Sequence, residues 1–375
     1  MALAARVRST RVSSPSVAIW VAIALLLLVS LVLAPNTVTP NAMLGILPFA
    51  ALIGLAGIGQ TLVVQQRGLD LTVGGMITVS AILITKIPNG HDASLPLALA
   101  VVGGVAIAAG LVTGIAVTRF GITPVVATLG VGALLSGLAV QVTGGALSIA
   151  AAPVLDGFAF GKTFAVPNVV IVTIVVVIAV AVIGRRTVIG RWFVAVGANP
   201  AAGHVAGLPV ARIRVGTYVV ASLAYAFTGV MLAGFVGTPG VSAGDPYLLS
   251  TVAAVVLGGT SLAGGRGSVV ATLGGAIFLT QLGAVVLGMG APPAAQLILQ
   301  GVIIAVGMGL RNVPWSRLRR ASTSTGGPPG DDGVATTPVE GDVMGGLRAA
   351  AEIEPSGSPS DLHSPTQRRL PLAMG

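Results

Sequence analysis

The sequence has no cysteine, only three histidines, and charged side chains at just 8% of its 375 positions. Without cysteine there can be no disulfide and no thiolate metal site. His91, His204 and His363 fall in three separate connecting stretches. No general base, metal cluster or catalytic dyad can be assembled inside the membrane from them. The scarcity of charge excludes more. A soluble domain is about a quarter charged, whereas this chain is 54% hydrophobic with a mean hydropathy of +0.97. No water-soluble fold of this size covers itself with so few charges, so membrane spans are expected.

Ten uncharged apolar runs are present, at about 17–34, 43–65, 73–85, 97–118, 123–142, 167–184, 213–237, 249–263, 267–289 and 294–310. The third and eighth are too short to cross a hydrocarbon core of about 30 Å as straight helices. They are predicted to be broken, tilted or re-entrant. The first run follows Arg6, Arg8 and Arg11, but its core VAIWVAIALLLLVSLVLA is longer than a secretory core, and PNTVTPN offers no cleavage site. It reads as a permanent span. With the N-terminus inside, 15 of the 17 basic residues before position 321 fall in inner loops, and only Lys86 and Lys162 lie outside.

The fold class predicted is therefore an all-α polytopic membrane protein of about ten transmembrane helices, some short or broken, with both termini cytoplasmic. Residues 1–16 form a cytoplasmic N-terminal segment and 17–310 the transmembrane domain. Residues 311–375 form a cytoplasmic tail. Beyond Arg320 the tail is rich in Pro, Gly, Ser and Thr, with seven acidic and three basic residues, a composition that predicts disorder over most of it. The basic residues of the body are spread over many short loops instead of forming one stripe. Nucleic acid is excluded as a partner, and the lipid bilayer is the partner that remains.

The longest outer loop, about 143–166, carries Asp156, Phe158, Phe160 and Phe164. It is either a connector with a short interfacial helix or a docking surface for an external partner. The longest inner loop, about 185–212, contains the helix-start signal Asn199-Pro200 and a turn near Gly207 and Pro209. A short helix across the cytoplasmic face fits that pattern. No span holds an ionisable residue away from its ends, which weighs against intramembrane hydrolysis and proton-coupled transport. Asp70 and Asp245, at span ends, read as solvated or capping carboxylates.

The stretch AAVVLGGTSLAGGRGSVVATLGGA (253–276) is rich in glycine without being a phosphate loop. A Walker A motif needs G-x-x-x-x-G-K-[ST], and counting from Gly259 puts Gly265 where the lysine belongs. These glycines instead let the backbone turn sharply between two spans.

The same stretch resembles the C-terminal signature of the membrane subunits of ribose-type monosaccharide ABC importers, the inner membrane components of binding-protein-dependent transport systems. QQRGLDLTVGGMITVSA (65–81), RFGITPVVATLGVGALLSGLAVQVTGG (119–145) and GRWFVAVGANPAAGHVAGLPVARIRVGTYVVAS (190–222) are similar to further segments of that family, in order. The resemblance implies a permease without catalytic residues, metal or cofactor of its own. Its partners would be a cytoplasmic ABC ATPase that binds ATP and Mg, an extracytoplasmic solute-binding protein and a second permease subunit. The cargo implied is a small polar solute, foremost a monosaccharide such as ribose; autoinducer-like furanosyl compounds, nucleosides and branched-chain amino acids are the alternatives within the class. An ion-coupled secondary carrier is the alternative outside it.

Matched position by position, the ATPase-coupling loop comprises Gly197, Asn199, Pro200, Ala202, His204 and Gly207. The first signature contributes Arg67, Gly68, Asp70 and Gly74, and the second Thr123, Pro124, Thr128 and Gly130. The last contributes Gly258, Gly259, Gly264, Gly265 and Gly267. The chain departs from the family at Ala201, where glutamate is common, at His204, where arginine is frequent, and at Ala206, where serine is frequent. Asp70 and Asp245 also stand five spans apart, an odd offset that places equivalent elements upside down, as inverted repeats require.

Overall fold

The computed structural model describes residues 15–145 and 151–312. Nearly all of the N-terminal segment and of the tail lies outside the described residues. The helices in chain order are α1 (Pro15–Leu33), α2 (Pro40–Gln65), α3 (Val73–Lys86), α4 (Leu95–Thr118), α5 (Pro124–Thr143), α6 (Pro153–Phe160), α7 (Asn168–Arg186), α8 (Val188–Ala198), α9 (Pro200–Val205), α10 (Val210–Val236), α11 (Asp245–Leu257), α12 (Val269–Gly288) and α13 (Pro293–Asn312). Among the described residues six of these, α2, α4, α5, α7, α10 and α12, are long and apolar enough to cross a membrane. The protein is a multi-pass, all-α plasma-membrane protein.

Local chemistry sets where the helices begin. Thr39 caps α2 through its hydroxyl, which accepts the Ala42 N–H at 3.3 Å, and Pro40 follows as a first-turn proline that forfeits no intrahelical bond. Ser268 caps α12 in the same way, accepting from the Ala271 N–H at 3.3 Å. Val32, Leu134 and Ile298 point outward with more than two-thirds of their surface exposed. Lipid chains are as apolar as these side chains, so the exposure carries no penalty in a bilayer.

At the centre lies α3, with every residue from Val73 to Thr85 buried. Its first turn meets the middle of α5, where a Cβ on Gly75 would come within 2.9 Å of the Gly132 carbonyl oxygen. It also meets the first turn of α11. The Gly244 N–H donates to Thr78 Oγ1 at 2.9 Å, and any side chain at Gly244 would overlap the Gly74 carbonyl. The two short helices thus start side by side. Close packing by small residues recurs between α4 and α10, where Gly110 and Gly114 press on the backbone of Val219 and Val215.

The helices also pair by length: α2 with α10 (26 and 27 residues), α3 with α11 (14 and 13), α4 with α12 (24 and 20), and α5 with α13 (20 and 20). Exchanging the members of each pair maps the packing onto itself. α10 lies against α4 as α2 lies against α12, α3 against α5 as α11 against α13, and α3 against α10 as α11 against α2.

Several sequence expectations are corrected. The run at 249–263 becomes a helix that starts at Asp245 and stops at Leu257, because Gly258 and Gly259 turn the chain out of it. The inner loop holds two helices, not one: α8 precedes α9, with the Thr187 hydroxyl capping it by accepting the Gly190 N–H at 3.1 Å. The outer loop contains α6 and a two-residue antiparallel ladder, β1 (Lys162–Thr163) with β2 (Val166–Pro167), a small departure from an all-helical chain.

Candidate functional site

Three of the four signature segments meet at one end of the bundle. The connector 66–72 leaves α2 by a turn in which Arg67 takes a left-handed conformation, φ 64°. That turn swings the arginine toward the C-terminus of α8. Its Nε donates to the Gly197 carbonyl at 3.0 Å, and its Nη2 donates to the Ala198 carbonyl. A helix C-terminus leaves carbonyls without intrahelical partners and carries partial negative charge, so a guanidinium is well matched to it. Next to it, Gln66 Nε2 donates to the Phe193 carbonyl at 2.8 Å.

The connector 258–268 closes the junction. The Gly265 N–H donates to the Gln65 carbonyl at 2.9 Å. Gly264 (φ 83°) and Gly265 (φ 71°) lie so close to Arg67, Gly197 and Ala198 that a Cβ on Gly265 would stand 2.6 Å from Ala198 Cα. Only glycine meets both the conformation and the space. Gly259 turns at φ 82°, Gly258 packs on the backbone of Ala271, and Gly267 leaves room for the Gln65 amide and for Thr260.

From α8 the chain passes directly into α9. Asn199 caps that helix, its Oδ1 accepting the Ala202 N–H at 3.1 Å, and Pro200 occupies the first position. Gly207, at φ 75°, ends it, with its N–H on the His204 carbonyl and the Leu208 N–H on the Gly203 carbonyl, both at 3.0 Å. Ala201, Ala202, His204 and Ala206 are exposed, and Val205 is 92% exposed. Sequence reasoning missed Val205, since a lone valine among alanines gives no signal of exposure. It also missed Thr72.

Asp70 corrects one expectation. It is 1% exposed, so it is not solvated, and it does not cap the helix itself: Oδ1 accepts from the N–H at 2.9 Å and the hydroxyl at 2.6 Å of Thr72, the residue that precedes α3. It is buried because the connector folds back toward the middle of α5 instead of staying at the surface. Asp245, in contrast, is exposed in the first turn of α11. Gly68 lies under the Tyr218 hydroxyl, and Gly74 lies against Gly244.

The second signature joins the cluster only in part. Pro124 opens α5, and the buried Thr128 hydroxyl reaches the Val125 carbonyl at 3.2 Å and the Leu69 carbonyl at 3.4 Å. Thr123 and Gly130 are exposed, and nothing lies within 4 Å of a Cβ placed on Gly130. Among the described residues no three histidine or carboxylate side chains stand together as metal ligands. What the junction can do is mechanical. It ties the exposed helix α9, through α8, to the connector that leads into α3 and to the one that leaves α11.

Residues 42–307 match the family described as "Branched-chain amino acid transport system / permease component". The chain is similar to the ribose import permease protein RbsC of Escherichia coli (strain K12), 31% identical over 294 residues that cover 75% of this chain and 89% of that protein. It is also similar to the fructose import permease protein FrcC of Rhizobium meliloti, 30% identical with 71% and 76% covered. The galactofuranose transporter permease protein YtfT of Escherichia coli (strain K12) is 32% identical, with 69% and 76% covered. No solved structure matches the chain.

Proposed function

Because the chain belongs to this family of transport-system permease components, we propose that it is the membrane-spanning subunit of an ABC importer that brings a monosaccharide into the cell. The observation that carries the reading is the Arg67 junction, which joins a solvent-facing helix to the buried ends of two short helices. A soluble ATPase docks on α9 around Val205, binds ATP and Mg itself, and on closing pushes on that helix. The push passes through Gly197 and Ala198 to Arg67 and Gly265, and so to α3 and α11. An extracytoplasmic binding protein delivers the sugar, and a second permease subunit completes the pathway.

In this reading both termini are cytoplasmic, about ten segments enter the membrane, and residues 17–310 are the permease domain. The helices α2–α5 and α10–α13 are inverted repeats, a relation supported by their paired lengths and exchangeable packing. The chain supplies motion and a path; the ATPase supplies hydrolysis.

The test is uptake of labelled ribose, fructose and galactofuranose into proteoliposomes holding this chain with its ATPase and binding protein. ATP-dependent uptake of one of them, absent without the ATPase, is the expected result. Uptake by the isolated chain driven by an ion gradient overturns the reading in favour of a secondary carrier.

A further inference from the structure

A cavity of about 120 Å³ opens beside the junction, where the end of α7, the middle of α8 and the start of α12 surround the end of α2. Its walls are apolar, with Leu62, Val180 and Phe193 among them. Three polar residues break that lining: Arg185, which is exposed, Gln65, and Ser268 at the start of α12.

Arg185 makes no ion pair among the described residues, and none of the four aspartates among them lines the cavity. At the start of α12 the Ser268 hydroxyl takes the Ala271 N–H, which leaves the Val269 and Val270 N–H groups without an intrahelical acceptor at the positive end of a 20-residue helix. Independently of both, the Gln65 side chain is 7% exposed and has no hydrogen-bond partner among the described residues. An amide that lines the cavity without a protein acceptor can donate to a ligand there. Gly267 holds the space open, since a Cβ there would lie 2.7 Å from Gln65 Nε2.

An arginine, an amide N–H and a helix N-terminus around one small space offer hydrogen-bond donors to the oxygens of a phosphate. The apolar walls and the neighbouring helix indicate which kind of phosphate. α8 exposes Val188, Ile189, Trp192 and Val194 beside Arg185, Arg186 and Arg191, the pattern of a helix lying in a membrane interface. We propose that the cavity holds the headgroup phosphate of an anionic phospholipid from the cytoplasmic leaflet, with the acyl chains continuing along the apolar wall. The choice of leaflet rests on the orientation proposed above, whereas the binding itself does not depend on transport. Bound there, the lipid bridges α7 and α12 directly beneath α8 and braces the junction from its membrane side.

The experiment is native mass spectrometry of the full chain released from phosphatidylcholine vesicles containing phosphatidylglycerol, with thermal unfolding recorded in parallel. Wild-type chain is expected to retain phosphatidylglycerol in preference to phosphatidylcholine. Arg185→Gln should lower that retention about fivefold, the effect of one basic side chain at a membrane surface. Ala181→Leu, which fills the cavity without changing charge, should abolish it while leaving unfolding in pure phosphatidylcholine unchanged. Equal retention of the two lipids, or phosphatidylglycerol retention untouched by both variants, overturns the proposal. So does stabilisation in pure phosphatidylcholine by millimolar inorganic phosphate that matches the lipid's and disappears in Arg185→Gln, which would make the site one for free phosphate.

Discussion

Arg67 Nε lies 3.0 Å from the carbonyl oxygen of Gly197, a residue 130 positions later in the chain. Its other arm reaches the next carbonyl, that of Ala198. One side chain therefore takes up two carbonyls at the end of α8 and fixes that end to the turn that precedes α3.

Arg67→Ala should leave the protein inserted in the membrane but uncouple it, so that ATP is hydrolysed with little sugar moved. Hydrogen bonds from a charged donor contribute about 1.5–3 kcal/mol. Arg67→Lys should recover only part of the coupling, because an ammonium is a point charge and cannot match two carbonyls in a planar fork. The ratio of ATP hydrolysed to sugar transported measures both.

Two glycines with nearly the same φ should differ sharply in their response to alanine. At Gly207 (φ 75°) nothing surrounds the absent Cβ, so Gly207→Ala costs about 1 kcal/mol of left-handed strain. At Gly265 (φ 71°) the same strain is joined by overlap with the Ala198 backbone. Thermal unfolding should show Gly265→Ala as much the more damaging, and equal shifts for the two would mean that the 258–268 connector is not held against α8.

Val205→Glu should leave stability within about 0.5 kcal/mol of wild type, as for other surface changes, because 92% of this side chain is already exposed. Co-purification with the ATPase should fall. An unaltered complex would move the docking surface off α9.

At Asp70 the test separates geometry from charge. Asp70→Ala strips Thr72 of an acceptor for both its N–H and its hydroxyl in a site without water access, a loss of about 1–3 kcal/mol. Asp70→Asn keeps an oxygen in the same place. If denaturation and transport of the asparagine variant resemble wild type, the residue serves to hold Thr72; if they resemble the alanine variant, its charge is needed.

Hydropathy made most helix boundaries legible, because charge and proline stop an apolar run where they stop a helix. It failed at 258–263, where LGGTSLAG carries no charge and reads as more span although Gly259 already turns at φ 82°. It also hid α8, an apolar helix of only 11 residues that Arg191 interrupts, too short to stand out as a span. The motifs found Arg67, Gly197, Gly264 and Gly265, which the fold brings together, but they weighted Gly130 equally, and it faces outward. Nothing in the local sequence could show that the Asp70 connector turns inward, since the residues that bury it belong to later helices.

The burial of α3 sets the order in which the protein can be made. At 14 residues it spans about 21 Å, too little to settle across a bilayer on its own. Its central partners, α10 and α11, begin at Val210 and Asp245. A ribosome adding about 5–20 residues per second needs on the order of ten seconds to get from the end of α3 to the start of α10. Through that interval Thr78 has no Gly244 N–H to accept and α3 has no α10 to lie against. The nascent N-terminal half is therefore an unfinished bundle, exposed to membrane chaperones and proteases until the second half arrives to close it.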